Sequence, residues 1–302
     1  MEFDEKVKAL LPEDAKKVLR FSYHKVKFWN NKLTSKVVDK DQIKADLRKI
    51  GLHKGCVALV HSSLSSIGYV RGGADAVIDA LLEIVGEKGT VVVPTFPFRG
   101  FMADYVQNSP AFDVDKTPSK MGAVTERFRQ RPESTRSAHP THSVAAIGAH
   151  APFLIEGHED SLYPFDEASP FWKLIKIKGY VLLLGVGYES MTVLRTFECI
   201  VPDFPYRVYL EEPIKLPVVN TEGQEKSIMT KVQNPQVSKI RSNSIIGGYL
   251  DKCGVSRIGS IGMATARLVF VGDLLDIMNE LLKKGITTYR PVEDEKRELF
   301  SE

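Results

Sequence analysis

The sequence predicts an α/β protein whose sheet is covered on both faces by helices. Three observations carry this reading. Short apolar runs such as "CVALVHSSL", "GTVVVPTF", "HSVAAIG" and "YVLLLG" read as buried strands. Stretches with helical patterning alternate with them. Between Cys56 and Phe96, strand, helix and strand follow one another closely enough to form a βαβ unit.

The elements follow in order. "TSKVVDKDQIKADLRKIGL" is a capped helix, with Asp41 as N-cap and Gly51 as its stop. "CVALVHSSL" is a strand, and "GGADAVIDALLEIVGEKG" a helix ending near Gly86. "GTVVVPTF" is a strand ended by Pro94. "SKMGAVTERFRQRP" is a helix closed by Pro132, and "HSVAAIG" a further strand. "SPFWKLIKIKG" is a helix with Ser169 as N-cap and Pro170 in its first turn. Tyr180 to Leu184 form the next strand, followed by a turn through Gly185 and Gly187 into a helix. From Arg207 to about Arg241 the composition shifts to that of a β-hairpin with Glu222-Gly223 near its turn. The remainder reads as two short strands and a helix.

The chain has 302 residues, 43% hydrophobic and 26% charged, which is the balance of an ordinary globular protein. One domain is expected over residues 37–302, with the β excursion near 207–241 inserted in it. Residues 1–36 are expected to form a helical arm, with a helix near Asp14–Tyr23. Its aromatic and lysine side chains suit either packing on the domain or docking to a partner. A net charge of +3 is too small to argue for nucleic acid as a partner. The opening "MEFDEKVKAL" has no apolar signal core, and no apolar run approaches the roughly twenty residues of a membrane span. Cys56, Cys199 and Cys253 are odd in number, far apart and without a CxxC pair, which points to buried thiols in a reducing compartment. A cytoplasmic protein, monomer or homodimer, without membrane or nucleic-acid partners, is the expectation.

Three motifs could carry chemistry. In "HSSLSSIGYVRGGADAV", serines follow a strand and glycines precede a helix. Such a loop either cradles phosphates or is a serine-rich turn with glycines for its geometry. In "RSAHPTHSVAAIG", His139 and His142 straddle Pro140 before a strand. They are either half of a metal site or histidines at a strand mouth, hydrogen-bonded to backbone or acting as a proton carrier. The third, "PSKMGAVTERF", suits a helix start and close approach of another element at Met121-Gly122. All seven histidines, the last being His158, lie in the first 158 residues, so histidine chemistry must come from there.

Taken together, "VHSSLSSIGYVRGGADAVIDALLEIVGEKGTVVVPTF", "TPSKMGAVTERFRQRPESTRSAHPTHSVAAIGAHA", "SPFWKLIKIKGYVLLLGVGYESMTVLRTFE" and "RIGSIGMATARLVFVGDLLDIM" resemble the aminoglycoside 3-N-acetyltransferase family. The resemblance spans roughly Gln42 to Lys284. It implies a three-layer α/β/α sandwich with a β-rich excursion, unlike the GNAT acetyltransferases. It implies acetyl-CoA as cosubstrate, no metal, and a small-molecule amine as acceptor: an aminoglycoside, with antibiotic resistance as the role, or another amino sugar. Carried over residue by residue, the CoA site comprises Ser62, Ser63, Leu64, Ser65, Val70, Gly72 and Gly73. Pro118, Ser119, Met121 and Gly122 line the same cleft.

The family helix after the "VLLLG" strand carries TxLHxxE, its histidine being the expected base. Here the matching residues are Thr192, Leu194, Arg195 and Glu198, so arginine stands where histidine is expected. A guanidinium stays protonated and is a poor base. Three readings follow. His142 or His139 supplies the base; the acceptor carries an acid that Arg195 grips; or the protein only binds CoA or a ligand, with Arg195 and Glu198 a plain ion pair. The candidate catalytic set is therefore His142, His139, Glu198 and Arg195. Glu159, Asp160, Asp166, Glu167, Glu189, Glu198 and Asp203 are the acids that could shape a mouth for a polycation. The loop "YPFDEASPFW" departs from the family's glycine-containing version, which leaves the acceptor open.

Overall fold

The computed structural model describes residues 37–202 and 204–289. The arm expected over 1–36 and the candidate acid Asp203 lie outside them. In chain order the elements are α1 (Lys40–Ile50), β1 (Val57–Ser62), α2 (Leu64–Ile67), α3 (Gly73–Val85), β2 (Thr90–Pro94) and α4 (Met102–Gln107). β3 (Phe112–Asp113), α5 (Ala123–Arg129), β4 (Thr135–Arg136), β5 (Val144–Gly148), α6 (Ala151–Ile155) and α7 (Pro170–Lys176) follow. Then come β6 (Tyr180–Leu184), α8 (Arg195–Ile200), β7 (Tyr209–Val219), β8 (Glu225–Gln233), α9 (Pro235–Lys239), α10 (Ser244–Lys252), β9 (Ser256–Ile261), β10 (Ala264–Phe270) and α11 (Leu274–Lys283).

Among the described residues, seven strands form one mixed sheet in the order β4-β5-β2-β1-β6-β10-β9. Its centre is parallel: β1 pairs with β2 and with β6 in the same direction. Alternation along these strands sorts side chains onto two faces. Ala58, Val60, Val91, Val93, Leu182 and Leu184 pack into a core with α1, α3 and α5. Val57, Leu59, Val92, Val181 and Leu183 face the opposite core, with α7, α8, α10 and α11. Two cores on one sheet make the α/β/α sandwich.

The excursion is a long hairpin. β7 and β8 pair antiparallel across a turn at Asn220–Gln224, where Gly223 takes φ 77°. β3 adds to β7 in parallel, giving a second, three-stranded sheet.

Two boundaries differ from the sequence reading. α1 is capped by Asp39, whose Oδ1 accepts the Gln42 N–H at 2.9 Å, and Asp41 falls in the first turn. The bridge between Val38 and Val70 anchors the chain just before Asp39 and sets where the helix begins. α5 starts at Ala123, not at Pro118–Ser119, and ends before Pro132. The Ser119 N–H donates to Glu126 and the Met121 N–H to the Ser119 hydroxyl, which folds Ser119–Met121 into a turn ahead of the helix. No helix among the described residues is long and apolar enough to cross a membrane.

Candidate active site

The parallel strands β1, β2 and β6 bring their carboxyl ends to one edge of the sheet, where ligands of open α/β sheets bind. A cleft of about 220 Å³ lies there. β1 contributes His61 and Ser62, and β2 with its exit loop contributes Pro94 and Phe96. Met121 and Thr125 come from the turn before α5 and from α5 itself. Val186, Glu189, Ser190, Thr192 and Arg195 come from the segment after β6, and Asn243 from the start of α10. An adjoining groove of about 440 Å³ shares Val186 and is walled by Ser65, Ser66, Gly185, Gly187, Thr265 and Arg267. A Cβ on Gly185 would sit 2.6 Å from the Ser66 Cβ, so the two loops meet there only because the residue is glycine.

His61 is the histidine of the cleft, and the sequence reading passed over it as a site residue. It ends the buried strand β1 on the face that looks toward Thr192, whose hydroxyl lies 3.4 Å from Nε2. Burial pushes its pKa down to about 3, so the imidazole is neutral at physiological pH. A histidine in the last turns of a parallel strand, next to a serine-rich loop, was the available signal.

The structure places His139 and His142 elsewhere. The His139 Nδ1 accepts the backbone N–H groups of Thr141 and His142, at 3.3 and 3.2 Å. That lone pair is committed to holding the loop, and burial pushes the pKa down to about 3. The His142 ring sits edge-on to Phe96, Phe98 and Phe165, and its Nδ1 faces the Thr141 hydroxyl at 2.9 Å. Its ring packs against Phe96, which lines the cleft, but His142 is not itself among the cleft-lining residues.

Arg195 does reach the cleft. Burial, reinforced by the nearby Arg241 charge and opposed by Glu198, pushes its pKa down to about 10, which leaves it a cation at neutral pH. The Arg195–Glu198 ion pair considered from the sequence is not formed. The Glu198 side chain is fully buried beneath the cleft, 2.9 Å from the Arg241 Nη2, and accepts from the Thr288 hydroxyl at 3.0 Å. Removing it as Glu198→Ala leaves Arg241 buried without a counter-charge. A loss of about 3–5 kcal/mol in folding stability is expected by chemical denaturation, part of it recovered in the double variant with Arg241→Met.

Among the other acids, Glu189 lines the cleft. Its carboxylate accepts from the hydroxyls of Ser242 and Ser244 and from the N–H groups of Asn243 and Ser244, at the start of α10. Burial works against its charge, but the bonds from Ser244, Ser242 and Asn243 outweigh it and hold the carboxyl below its usual range. Asp166 is engaged by Ser161, Tyr163 and Ala168, and Glu167 is exposed. Glu159 and Asp160 line a different, roomier cavity of about 700 Å³ beside β8. That cavity lies away from the carboxyl ends of β1, β2 and β6 and has no imidazole in its wall.

The residues expected to hold CoA divide. Ser62 and Met121 line the cleft and Ser65 the adjoining groove. Gly122 comes close to the Ser62 carbonyl: a Cβ there would lie 3.8 Å from it. Ser63 receives the Ser66 hydroxyl at 2.9 Å, and Leu64 opens α2. Ser119 is buried, bonded to Thr125 at 2.9 Å, while Pro118 is exposed. Val70 packs into the core, and Gly72 and Gly73, both with positive φ, turn the chain into α3. Among the described residues no group of three or more His, Cys, Asp or Glu is gathered to hold a metal ion.

A sheet-end cleft with a neutral imidazole, a fixed guanidinium and a polar groove leading into it defines an α/β enzyme of the group-transfer type. The chain belongs to the aminoglycoside 3-N-acetyltransferase family, whose model matches residues 59–283. It is 40% identical over 179 residues to the SPbeta prophage-derived aminoglycoside N(3')-acetyltransferase-like protein YokD of Bacillus subtilis (strain 168), a match covering 54% of this chain and 65% of that protein. It is 30% identical over 257 residues to aminoglycoside N(3)-acetyltransferase IX of Micromonospora chalcea, covering 79% of this chain and 91% of that one. The solved structure of AAC-IIIb in a binary complex with CoASH superposes with a TM-score of 0.71 at 25% identity, over 85% of this chain and all of that one. Family membership carries the reaction class, N-acetyl transfer, and a fold distinct from GNAT.

Proposed function

We propose that this protein transfers an acetyl group from acetyl-CoA to an amine of an aminoglycoside or other amino sugar-like acceptor, with His61 taking the proton. The observation that carries the reading is the neutral His61 imidazole facing the cleft that the serine-walled groove leads into. Acetyl-CoA as donor is supported by the CoASH complex of AAC-IIIb. The groove suits it: Ser65 and Ser66 bring hydroxyl side chains, Gly187 leaves open space, and Arg267, loosely paired with Asp251 at 3.7 Å, lines it as a cation for phosphates. Ser62, Ser63, Leu64, Ser65, Met121 and Gly122 form the wall against which the thioester arm lies. Pro118, Ser119, Val70, Gly72 and Gly73 shape that wall from behind.

The acceptor nitrogen attacks the thioester carbonyl carbon, the C–S bond breaks, and CoA leaves as the thiol. Attack makes the nitrogen a much stronger acid, so a neutral imidazole within reach can accept its proton even though burial keeps that imidazole weakly basic. Arg195 serves as a binding cation, Glu189 as the fixed anion of the cleft, and Glu198 as the support of Arg241. No cysteine is required for direct transfer. We further assign the protein to the cytoplasm, as a monomer or homodimer, supported by its three free cysteines.

The test is thiol release from acetyl-CoA with purified protein and a panel of 2-deoxystreptamine antibiotics and simpler amino sugars. Amine-dependent release supports transfer and names the acceptor class. Binding of acetyl-CoA without release from any amine would favour a ligand-binding member of the family, the reading that arginine at position 195 supports.

A further inference from the structure

We infer that the acceptor cleft recognises amines bearing an anionic group, a carboxylate or a phosphate, close to the reacting nitrogen, and that Arg195 holds that group. The inference rests on the cleft being the acceptor site of the transfer proposed above.

Two carboxylates lie near Arg195, and both are committed. Glu198 is taken by Arg241 and Thr288, and Glu189 by the first residues of α10. Among the described residues no carboxylate forms an ion pair with Arg195. Its close neighbour is the Phe165 ring, 5.8 Å from the guanidinium carbon to the centroid. Arg241, with a side chain only 6% exposed, stands behind it, and its Nε and Nη1 have no hydrogen-bond partner. Arg241 and Glu198 balance each other, so neither supplies a counter-charge to Arg195. The Ser62 hydroxyl, buried on the same cleft wall, also lacks a partner. A guanidinium on the cleft wall without a carboxylate partner makes a receptor for a planar or tetrahedral oxyanion.

Size and placement support the same occupant. A cleft of about 220 Å³ is below the roughly 300–1,000 Å³ of pockets that enclose drug-sized ligands, so it takes one ring or a short chain. The phosphates of the donor have a cation nearer to them in Arg267, which lines the adjoining groove with Asp251 at 3.7 Å. The charge of Arg195 is thus left for the acceptor.

The experiment measures binding by calorimetry and turnover by thiol release. The amines are glucosamine, glucosamine 6-phosphate, glucosaminic acid and a 2-deoxystreptamine antibiotic, with acetyl-CoA and, in a separate arm, malonyl-CoA. The proteins are the natural chain, Arg195→Gln and Arg195→Lys, each checked for an unchanged melting temperature. An acid-bearing amine should bind about 10- to 100-fold more tightly than glucosamine. Arg195→Gln should bring that ratio close to one, and Arg195→Lys should keep part of it. Equal binding of acidic and neutral amines, or a ratio that Arg195→Gln leaves intact, overturns the inference. So does a preference for malonyl-CoA over acetyl-CoA that vanishes in Arg195→Gln, because the anion would then ride on the acyl group. Selective binding without turnover would sink the transfer reading and leave the anion site standing. Turnover without acid selectivity would do the reverse.

Discussion

Replacing His61 with asparagine is expected to lower kcat for N-acetyl transfer by about 10²- to 10⁴-fold, the usual contribution of a positioned proton acceptor. Acetyl-CoA affinity should hold, because the serine groove that receives the donor is built from other residues. The side chain is buried at the end of β1, so asparagine, which keeps a polar atom near Thr192, is preferred to alanine. The informative partner experiment is His142→Asn. That substitution opens space among Phe96, Phe98 and Phe165 and should act mainly on stability. If thiol release survives His61→Asn within a factor of ten and His142→Asn abolishes it at a temperature where the variant is folded, the proton acceptor is His142. The pH profile adds an independent check. With the His61 pKa near 3, kcat/KM should show no histidine-like acid limb between pH 6 and 7.

The second large effect is on the fold itself, which should be lost abruptly in mild acid. His61, His139, His142 and His158 are all buried, and burial depresses all four: His61 and His139 to about 3, the other two well below the ordinary histidine value. In the unfolded chain each takes up a proton below about pH 6.5, while in the folded chain each stays neutral. The unfolded state then binds more protons, so stability falls as pH falls. Each histidine costs about 1.4 kcal/mol per pH unit below 6.5, and four together on the order of 5 kcal/mol per unit. A domain with about 5–15 kcal/mol to lose should unfold between about pH 4 and 5.5.

The local bonding gives the reason in detail. The His158 Nδ1 faces the Ser137 hydroxyl at 2.9 Å and its Nε2 the Pro164 carbonyl at 3.2 Å, while His139 stacks on it at 4.6 Å between centroids. A proton on the His158 Nδ1 reverses that bond, so the Ser137 hydroxyl must accept from the imidazolium as well as from the Val144 N–H of β5 and turn its own proton elsewhere in a buried site. A circular-dichroism titration that shows native signal persisting at pH 4 would rule this out.

Much of the fold could be read from the chain, because it rests on local rules. Tyr180–Leu184 is a strand as its apolar run requires, α3 ends at Val85 before Gly86, and α7 begins after Ser169 with Pro170 in its first turn. Gly223 sits in the hairpin turn. The start of α1 was misread by two residues because Asp39 and Asp41 are equally good caps by composition. Only the Val38–Val70 bridge distinguishes them. Likewise Ser119 resembles a helix cap, yet Glu126, seven residues on, pulls its N–H into a turn instead.

The site was legible only in part, and the divide follows sequence distance. Legible along the chain were the α/β class, the order of strands and helices, the serine loop, and an arginine where the resemblance implies histidine. Those follow from periodicity, caps and motif spacing, all of which act over a few residues. The tertiary structure decided what each charged group does. Arg195 and Glu198 are three residues apart in a short helix, but Arg241, far along the chain, takes the carboxylate and leaves Arg195 to the cleft. His61 gained its place because β1 lies between β2 and β6 and ends at the same edge as both. In the folded loop one lone pair of His139 accepts the Thr141 and His142 N–H groups, and the His142 ring packs edge-on against Phe96. Charge pairing and burial are set by which distant segments meet, and no local pattern encodes that meeting.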